Sequence, residues 1–435
     1  MSERILLIIA NLPHASPRIP GLVKYLPEYG WKAIIVCPRL HTVLDPTVRV
    51  IETPHPPVLG FWKRMLGIDP EEGVRLQVRN RLGIASSTSS LDRILGLAAQ
   101  VVNYPDAHRR WRRVALRAIE GLLKEEDIAA VLSTSPPVTA HVIARDVKAR
   151  HGVPWIADLR DLWSQNHSYG YGTIRRWADR RLERRTLGTA DALVTVSQLW
   201  AERLRALHPA KRVHTITNGF DPAYVNARGE QLPEKFTITY TGTIYPSNQD
   251  PRKLFLAVRS LIDGGMIDPQ RLEVRFHTSP TPWLNREIQD LGLEDVVTQP
   301  GMVPYETALR LQRSSHALLL LNWEDPRERG WYPLKSFEYL AARRPIVAIG
   351  GTGDDVVSDL LNETKAGRSC PNVGAIQEYL RELYQEYRER GMVGYSGLDR
   401  SIGKYSYREM ARHFAEALEL VIEKTPGAQT FPVRP

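Results

Sequence analysis

A lysine and a glutamate three residues apart form the most chemically informative pair in the chain. Lys335 and Glu338 lie in the sequence Lys-Ser-Phe-Glu-Tyr-Leu-Ala-Ala, which runs through two arginines and a proline into an apolar segment at 346–349. The pattern predicts a short helix followed by a buried strand, with both charged side chains on one helical face. An ammonium can bind a phosphate there, and a carboxylate can accept hydrogen bonds from sugar hydroxyls. The same spacing is also that of a surface ion pair, so both interpretations stay open.

A glycine turn after a predicted strand is a second candidate for phosphate binding. Residues 236–240 read as a strand, and Thr241, Gly242 and Thr243 follow it. Glycine permits a positive φ angle or a close approach to the backbone, and the N–H groups of such a turn can face a diphosphate. A plain strand-to-loop turn would explain the same residues.

Two carboxylates flank an arginine in the first half of the chain. Asp158, Arg160 and Asp161 follow a predicted strand at 153–157. Carboxylates in this arrangement can position an acceptor hydroxyl, and Asp158 or Asp161 could accept its proton as a general base. A structural network that closes the loop is the alternative interpretation.

Several segments, taken in order, resemble those of family 4 glycosyltransferases with the GT-B fold. The segment from Lys335 to Ile349 resembles the donor-sugar signature of that family, and the other similar segments are 156–163, 190–197, 217–221 and 240–245. The resemblance runs over roughly residues 1–425 and depends on the order and spacing of the segments. It implies an α/β fold of two doubly wound Rossmann-like domains that face each other across a cleft.

The resemblance also implies where the two domains lie. Residues 1–221 would form an acceptor-binding domain, onto which a C-terminal helix at about 407–425 crosses back, and residues 222–406 would bind the donor. Strand-length apolar runs alternate with helical patterns, which favours parallel sheets with ligands at the carboxyl ends of the strands. Residues 38–92 read as a long irregular stretch, and a helix is predicted at 94–102.

Each candidate donor-site residue receives a role from the resemblance. Glu338 would hold the ribose and Lys335 the diphosphate, while Gly242 and Thr243 would present backbone and hydroxyl donors. Relatives carry further cations for the phosphates, and this chain has Arg252 there at a different spacing.

Other positions depart from the family pattern. Arg18 follows the first predicted strand, where relatives carry a pair of glycines, and would supply positive charge to the acceptor or the phosphates. The first of two family glutamates falls on Gly330, so that carboxylate is missing. The loop of Asp158, Arg160 and Asp161 takes the place of a loop that commonly carries a catalytic histidine, which makes these three the candidate catalytic residues.

The implied activity is transfer of a sugar, with retention of configuration, from a nucleotide diphosphate sugar to an acceptor hydroxyl. Bacterial transferases with a similar Asp-Leu-Arg-Asp loop often build capsule, O-antigen or exopolysaccharide, so we expect a glycan or a lipid-linked acceptor. No Asp-x-Asp pair occurs in the sequence, which predicts a metal-independent enzyme with no cofactor besides its donor substrate. Two alternatives stay open: a non-catalytic protein that binds a nucleotide sugar or glycan, and a sugar-nucleotide epimerase.

The composition is that of a basic globular protein with clustered arginines. The 435 residues carry a formal net charge of +9, and no apolar run approaches the ~18 residues of a membrane span. Arginines cluster at 109–113 and 175–185, and Trp62-Lys63-Arg64-Met65 puts an aromatic ring beside basic groups. The clusters fit solvated helix faces, contacts with an anionic membrane, or nucleic-acid contacts. No recognised nucleic-acid motif is present, so we expect no nucleic-acid partner.

The cysteines and the first residues favour a cytoplasmic location. Cys37 and Cys370 are far apart in sequence, form no metal or redox motif, and are typical of a reducing compartment. The first residues lead directly into a predicted strand, without the features of a secretory signal. We therefore expect a cytoplasmic protein, peripheral on the inner face of the cell membrane if the arginine clusters bind lipid.

Overall fold

The structure, a computed structural model, describes residues 3–11, 16–39, 47–54, 103–166, 169–225, 231–246 and 248–423. The chain divides into two compact units. The first comprises Met1–Val196, Ala201–Thr215 and Ala411–Pro435, and the second comprises Ser197–Trp200 and Ile216–Met410. The sequence places the domain boundary between residues 221 and 222, whereas the second unit begins, apart from its short early segment, at Ile216.

A parallel sheet forms the centre of the first unit. Its strands in the described part of the chain are β1 (Arg4–Ile9), β2 (Trp31–Pro38), β3 (Arg49–Thr53), β4 (Ile128–Ser135), β5 (Trp155–Leu159), β6 (Ala192–Thr195) and β7 (Arg212–Thr215). They lie in the order β3-β2-β1-β4-β5-β6-β7. Because helices cover both faces, inner strands such as β5 are buried along their whole length.

Helices follow most of these strands. They are α1 (Arg18–Tyr25), α2 (Trp111–Glu125), α3 (Thr139–His151) and α4 (Thr173–Leu187), followed by α5 (Gln198–Leu207), whose residues are divided between the units. The strand order reverses between β1 and β4. The segments after β1, β4 and β5 therefore share the carboxyl edge where doubly wound sheets bind ligands.

The second unit repeats this architecture. Its described strands are β8 (Phe236–Thr241), β9 (Leu272–His277), β10 (Val297–Thr298), β11 (Ala317–Leu321), β12 (Ile346–Ile349) and β13 (Gly367–Cys370). They are parallel and lie in the order β10-β9-β8-β11-β12-β13, so the strand order reverses between β8 and β11.

The helices of the second unit alternate with these strands. They are α6 (Arg252–Asp263), α7 (Pro282–Asp290), α8 (Tyr305–Arg313), α9 (Lys335–Ala342), α10 (Val356–Thr364), α11 (Val373–Arg390) and α12 (Asp399–Gly403). The last helix, α13 (Tyr407–Ile422), belongs to the first unit from Ala411 onward.

Local chemistry explains the bounds of α9, the helix that carries the candidate pair. Phe337, Leu340 and Ala341 are buried, which gives the helix one apolar face. Arg343 ends it in the left-handed region with φ of 55°, and the proline that follows shortly after cannot continue a helix.

The predicted fold class, α/β with two doubly wound parallel sheets, is confirmed. The prediction of an irregular stretch at 38–92 is wrong at β3, which pairs with β2 at the edge of the sheet. The predicted helix at 94–102 and the segment Trp62-Lys63-Arg64-Met65 lie outside the described residues. None of the helices in the described ranges has the length and apolar character that a membrane crossing requires.

Candidate active site

Lys335 begins α9 beside the carboxyl end of β8. Its Nζ donates a hydrogen bond to the Tyr240 hydroxyl at 2.7 Å and lies 4.1 Å from the centroid of the same ring. The Tyr240 hydroxyl donates in turn to the carbonyl oxygen of Thr243 at 2.7 Å. The ammonium is thus held by a neutral phenol that is itself tied to the glycine turn.

Gly242 allows the lysine to lie against the backbone. Its φ angle is 112°, a conformation that residues with a Cβ rarely adopt. A Cβ at Gly242 would lie 3.2 Å from Lys335 Nζ. The Gly242 amide donates to the carbonyl oxygen of His277 at 2.9 Å, while the next residue, Thr243, is exposed. The structure therefore brings the predicted turn and the predicted lysine together.

Glu338 lies one turn further along α9 and contacts other residues. Gln312 on α8 donates from Nε2 to Glu338 Oε2 at 3.2 Å and to Thr241 Oγ1 at 3.0 Å. Within the described residues no ion pair joins Lys335 to Glu338, so the surface ion-pair interpretation does not apply. One amide instead ties α8, α9 and the end of β8 together.

Burial changes the pKa values of both charged groups. It lowers the pKa of Lys335 to about 8, against the attraction of the Glu338 carboxylate. It raises the pKa of Glu338, although Gln312, Lys335 and Tyr305 favour the charged form. Desolvation disfavours each charge, and such perturbed groups are typical of functional sites.

Large apolar side chains are exposed around the same edge of the second sheet. Tyr245, Met302, Tyr305 and Leu334 are all exposed, and they lie on the segments that follow β8 and β10 or precede α9. The Tyr245 ring packs against Trp323 with centroids 6.2 Å apart. Exposed apolar groups beside convergent polar groups are characteristic of a ligand site.

Gly330 stands where the family has its first glutamate, and no space for a side chain exists there. A Cβ at Gly330 would lie 2.5 Å from Cδ1 of Trp200, a residue of the same unit whose ring is buried. Glu328 is close by, but its Oε1 accepts hydrogen bonds from Trp200 Nε1 at 2.7 Å and from the Gly330 amide at 3.1 Å. Glu328 therefore stabilises this loop through its hydrogen bonds and has a structural role.

The two cations at the start of α6 have carboxylate partners. Arg252 forms an ion pair with Glu287 on α7, and Lys253 Nζ lies 2.9 Å from Glu324 Oε1 in the loop after β11. The charge of Arg252 is therefore already paired in the folded chain. A donor-binding role for Arg252 stays a prediction.

Arg18 and Asp158 form a fully buried ion pair in the first unit. Arg18 donates from Nη2 to Asp158 Oδ1 at 2.9 Å and from Nε to Oδ2 at 3.2 Å, and both side chains are 0% exposed. Thr134 Oγ1 donates to Asp158 Oδ2 at 2.9 Å, and the Arg18 guanidinium carbon lies 5.1 Å from the centroid of the Phe414 ring. In this arrangement Asp158 is not placed to take a proton from an acceptor, and the charge of Arg18 is already neutralised.

Arg160 and Asp161 lie nearer to solvent. Arg160 donates from Nε to the Ser135 carbonyl oxygen at 3.1 Å and from Nη2 to that of Pro136 at 3.3 Å. Burial lowers the pKa of Arg160, while Asp158 and Asp161 oppose the shift. Asp161 is partly exposed on the loop after β5. Of the three predicted catalytic residues, these two are the ones that a ligand could contact.

The sequence analysis did not identify two residues that interact with Glu338, namely Gln312 and Tyr305. Gln312 carries a signal, because it lies three residues after Leu309 on the buried face of α8. A polar side chain at a core position of an amphipathic helix needs hydrogen-bond partners, and here it finds Glu338. Tyr305 has no comparable signal, since its role depends on contacts distant in sequence.

Comparisons with known proteins add to this geometry. Residues 15–219 match the model of the glycosyl transferase 4-like domain. Among solved structures, the chain is similar to the lipopolysaccharide outer core galactosyltransferase WaaB in its apo form, with 12% identity and a TM-score of 0.56 over 96% of this chain and 99% of that chain. A glycosyltransferase from Rickettsia africae ESF-5 has 13% identity and a TM-score of 0.54 over 98% and 97%.

HepE from Anabaena, in complex with UDP-glucose, has 12% identity and a TM-score of 0.53 over 98% of this chain and 100% of that chain. No curated protein sequence matches the chain. At such low identity the structural neighbours establish the fold, and the two parallel-sheet units define a GT-B protein. The match over 15–219 identifies a glycosyl transferase 4-like domain in that part of the chain, and the fold as a whole is that of GT-B glycosyltransferases.

Removing one partner of the buried pair in the first unit should destabilise the protein strongly. Asp158→Ala leaves the Arg18 guanidinium buried without its partner, which should lower the free energy of unfolding by about 3 to 5 kcal/mol. The double variant Arg18→Met/Asp158→Leu should recover much of the loss, because no buried charge remains. Urea unfolding and thermal unfolding of the purified variants measure both effects.

Arg49→Ala is the matched control, since Arg49 pairs with Glu125 and Glu126 at the surface of the same unit. It should change stability by less than about 1 kcal/mol. If Asp158→Ala unfolds like the wild type but loses all transferase activity, Asp158 acts in the chemistry and its structural role is rejected.

Proposed function

We propose that this glycosyltransferase holds a nucleoside diphosphate sugar at the carboxyl edge of its second sheet and transfers the sugar to an acceptor hydroxyl. The observation that carries the proposal is the convergence of Lys335, Gly242 and Glu338 beside the point where the strand order reverses. This is the position at which doubly wound sheets bind nucleotides.

The spacing of Lys335 and Glu338 along α9 suits the diphosphate and the ribose of such a donor. Residues three apart on a helix have Cβ atoms about 5 to 6 Å apart, so Lys335 can contact the diphosphate while Glu338 accepts hydrogen bonds from the ribose diol. The turn at Gly242 would face the phosphates. The exposed hydroxyl of Thr243 would donate a hydrogen bond to them. Arg252 would add a second cation only after release from Glu287.

The chemistry follows from these groups without a metal. As the sugar leaves, negative charge develops on the diphosphate, and a fixed ammonium stabilises that charge more in the transition state than in the ground state. Arg160 and Asp161 would position the acceptor hydroxyl on the face of the sugar from which the diphosphate leaves, with Asp161 as the proton acceptor. The new bond to the anomeric carbon then forms on the same face as the broken one, as retention requires. The Asp158–Arg18 pair would support their loop from beneath. Retention of configuration is part of the proposal and rests on the family resemblance.

The acceptor side of the proposal is a surface glycan or a glycan on a lipid carrier. Its support is the likeness in fold to WaaB, whose name assigns it to the lipopolysaccharide outer core. The donor side is supported by the likeness in fold to HepE, whose structure contains UDP-glucose. UDP and UDP-glucose are therefore the first probes to use, with GDP and ADP as comparisons.

A non-catalytic nucleotide-sugar-binding protein is the second candidate, and one observation favours it. Trp200 occupies the space that a glutamate at Gly330 would need, so a carboxylate of the family site is excluded. Turnover by the purified protein separates the two, because a transferase consumes its donor at least by slow hydrolysis. Product analysis without added acceptor reveals an epimerase, which would convert the sugar nucleotide and release no diphosphate.

Substitution of either charged residue on α9 should weaken donor binding. Lys335→Ala and Glu338→Ala each remove a charge-assisted hydrogen bond, which at about 1.5 to 3 kcal/mol corresponds to roughly a 10- to 150-fold rise in Kd. Isothermal titration calorimetry with UDP, which carries both the ribose and the diphosphate, measures the effect of each substitution, and UDP-glucose turnover is the second readout. Asp263→Ala, at an exposed carboxylate paired with Arg259, is the control and should bind as the wild type does. Wild-type binding by both α9 variants would refute the assigned site.

Binding of the diphosphate should weaken as the pH rises past 8. The pKa of Lys335 is lowered to about 8, so the residue is mostly charged at pH 7 and mostly neutral at pH 9. If the charged form is the one that binds, the Kd for UDP should rise about 3- to 10-fold between these values.

Lys335→Arg is the control for this pH dependence, because a guanidinium keeps its charge throughout the range. Its affinity for UDP should stay nearly constant from pH 7 to 9. Any change that this variant does show measures the effect of ionisation of UDP itself. A parallel decline in wild type and Lys335→Arg would show that another group titrates.

A further inference from the structure

We infer that the exposed side of α4 docks the protein on an anionic bilayer. This docking face consists of Tyr171 just before the helix, two apolar residues in its first turns and the arginines along it. The helical members are Ile174, Trp177, Arg176, Arg180, Arg181, Arg184 and Arg185. The inference extends the proposed function, since a lipid-linked acceptor is presented at a bilayer surface.

The apolar part of the docking face is unusually exposed. Ile174 is 84% exposed, Trp177 is 66% exposed and Tyr171 is 46% exposed. Ile174 and Trp177 are three residues apart and therefore project from the same side of the helix. An aliphatic and an indole side chain in this position can enter the interfacial region of a bilayer, where tryptophan is favoured.

The charges on the docking face are all of one sign. Both acidic residues of α4, Asp179 and Glu183, are buried. Asp179 accepts hydrogen bonds from the Tyr169 hydroxyl at 2.5 Å and from Arg175 Nε at 3.0 Å, and Glu183 accepts from the Ser164 amide at 3.1 Å. The charged side chains that α4 exposes are therefore all arginines, which complements an anionic lipid surface.

Contacts of Arg175 with two tyrosine rings, together with hydrogen bonds, hold the first turn of α4 in place. The Arg175 guanidinium carbon lies 4.4 Å from the Tyr104 ring centroid and 5.0 Å from that of Tyr171. Arg175 also donates from Nη2 to the Pro105 carbonyl oxygen at 2.6 Å. The Tyr104 hydroxyl donates to the carbonyl oxygen of Ala178 at 3.1 Å. The apolar tip is thus presented on an ordered scaffold, and binding would cost little additional ordering.

Other partners fit the docking face less well. A nucleic acid would engage the arginines through its phosphates but would leave Ile174 and Trp177 against water. A second copy across a two-fold axis would bring the same patch to itself, and the arginines of one copy would then meet those of the other. A bilayer accommodates both features, because its acyl region accepts the apolar tip while its headgroups meet the arginines.

Vesicle flotation with the full chain tests the inference. The wild type should float with vesicles of equal parts phosphatidylglycerol and phosphatidylcholine at 0.1 M NaCl, and should stay behind with phosphatidylcholine alone or in 0.5 M NaCl. Ile174→Ser/Trp177→Ser should reduce the bound fraction at least fivefold, and so should Arg180→Gln/Arg181→Gln/Arg184→Gln. Met266→Ser/Met392→Ser, at two exposed apolar residues of the second unit, is the matched control and should float like the wild type.

The failure of this inference is distinguishable from failure of the proposed function. Ile174→Ser/Trp177→Ser should turn over UDP-glucose in solution as the wild type does, so donor turnover tests the site and flotation tests the docking face. Three results would overturn the inference: equal flotation of wild type and variants, loss of dimers rather than of flotation in the Ile174→Ser/Trp177→Ser variant on size-exclusion chromatography, or binding to duplex DNA or RNA but not to anionic vesicles.

Discussion

The candidate site depends on the Lys335 ammonium, whose hydrogen-bond partner is the neutral side chain of Tyr240. Tyr240 stabilises Lys335 through its hydroxyl and the face of its ring, but no carboxylate forms an ion pair with Lys335 within the described ranges. Its pKa is lowered to about 8 because the loss of hydration is only partly compensated. An anionic ligand would complete that compensation. A cation of this kind is poised for binding, in contrast to one that is already neutralised in the folded chain.

Arg18 illustrates the neutralised case. Its guanidinium is fully buried, and Asp158 meets it with both carboxylate oxygens. A satisfied buried pair gains little from a ligand, yet it is costly to break because either partner alone would be an unpaired charge in the interior. Lys335 and Arg18 are both cations to which the sequence analysis assigns a role in phosphate binding. The partner that the fold supplies, and not the residue type, separates a binding role from a structural one.

Local signals explain which features could be predicted. The bounds of α9 and β12 match the prediction residue for residue, because the apolar spacing and the Arg-Arg-Pro segment between them act within a few residues. The pairing of Arg18 with Asp158 spans 140 positions, and no local pattern encodes it. The strand β3 escaped prediction because only Thr53 among its residues is buried. An edge strand of this kind lacks the continuous apolar run by which buried parallel strands are recognised.

In the proposed donor site, the glycine at position 330 limits the groups with which the second unit can recognise a sugar. Trp200 fills the space that a side chain would need there, and Glu328 is engaged by the loop. No carboxylate therefore extends from this position, where the family has a glutamate. The adjacent Trp331 packs on Trp323 with ring centroids 4.9 Å apart, and Trp323 in turn packs on the exposed Tyr245. Aromatic faces bind the apolar side of a sugar ring through contact area rather than through charge. Sugar selection by this unit should therefore depend more on shape than on a pattern of hydrogen bonds to one glutamate.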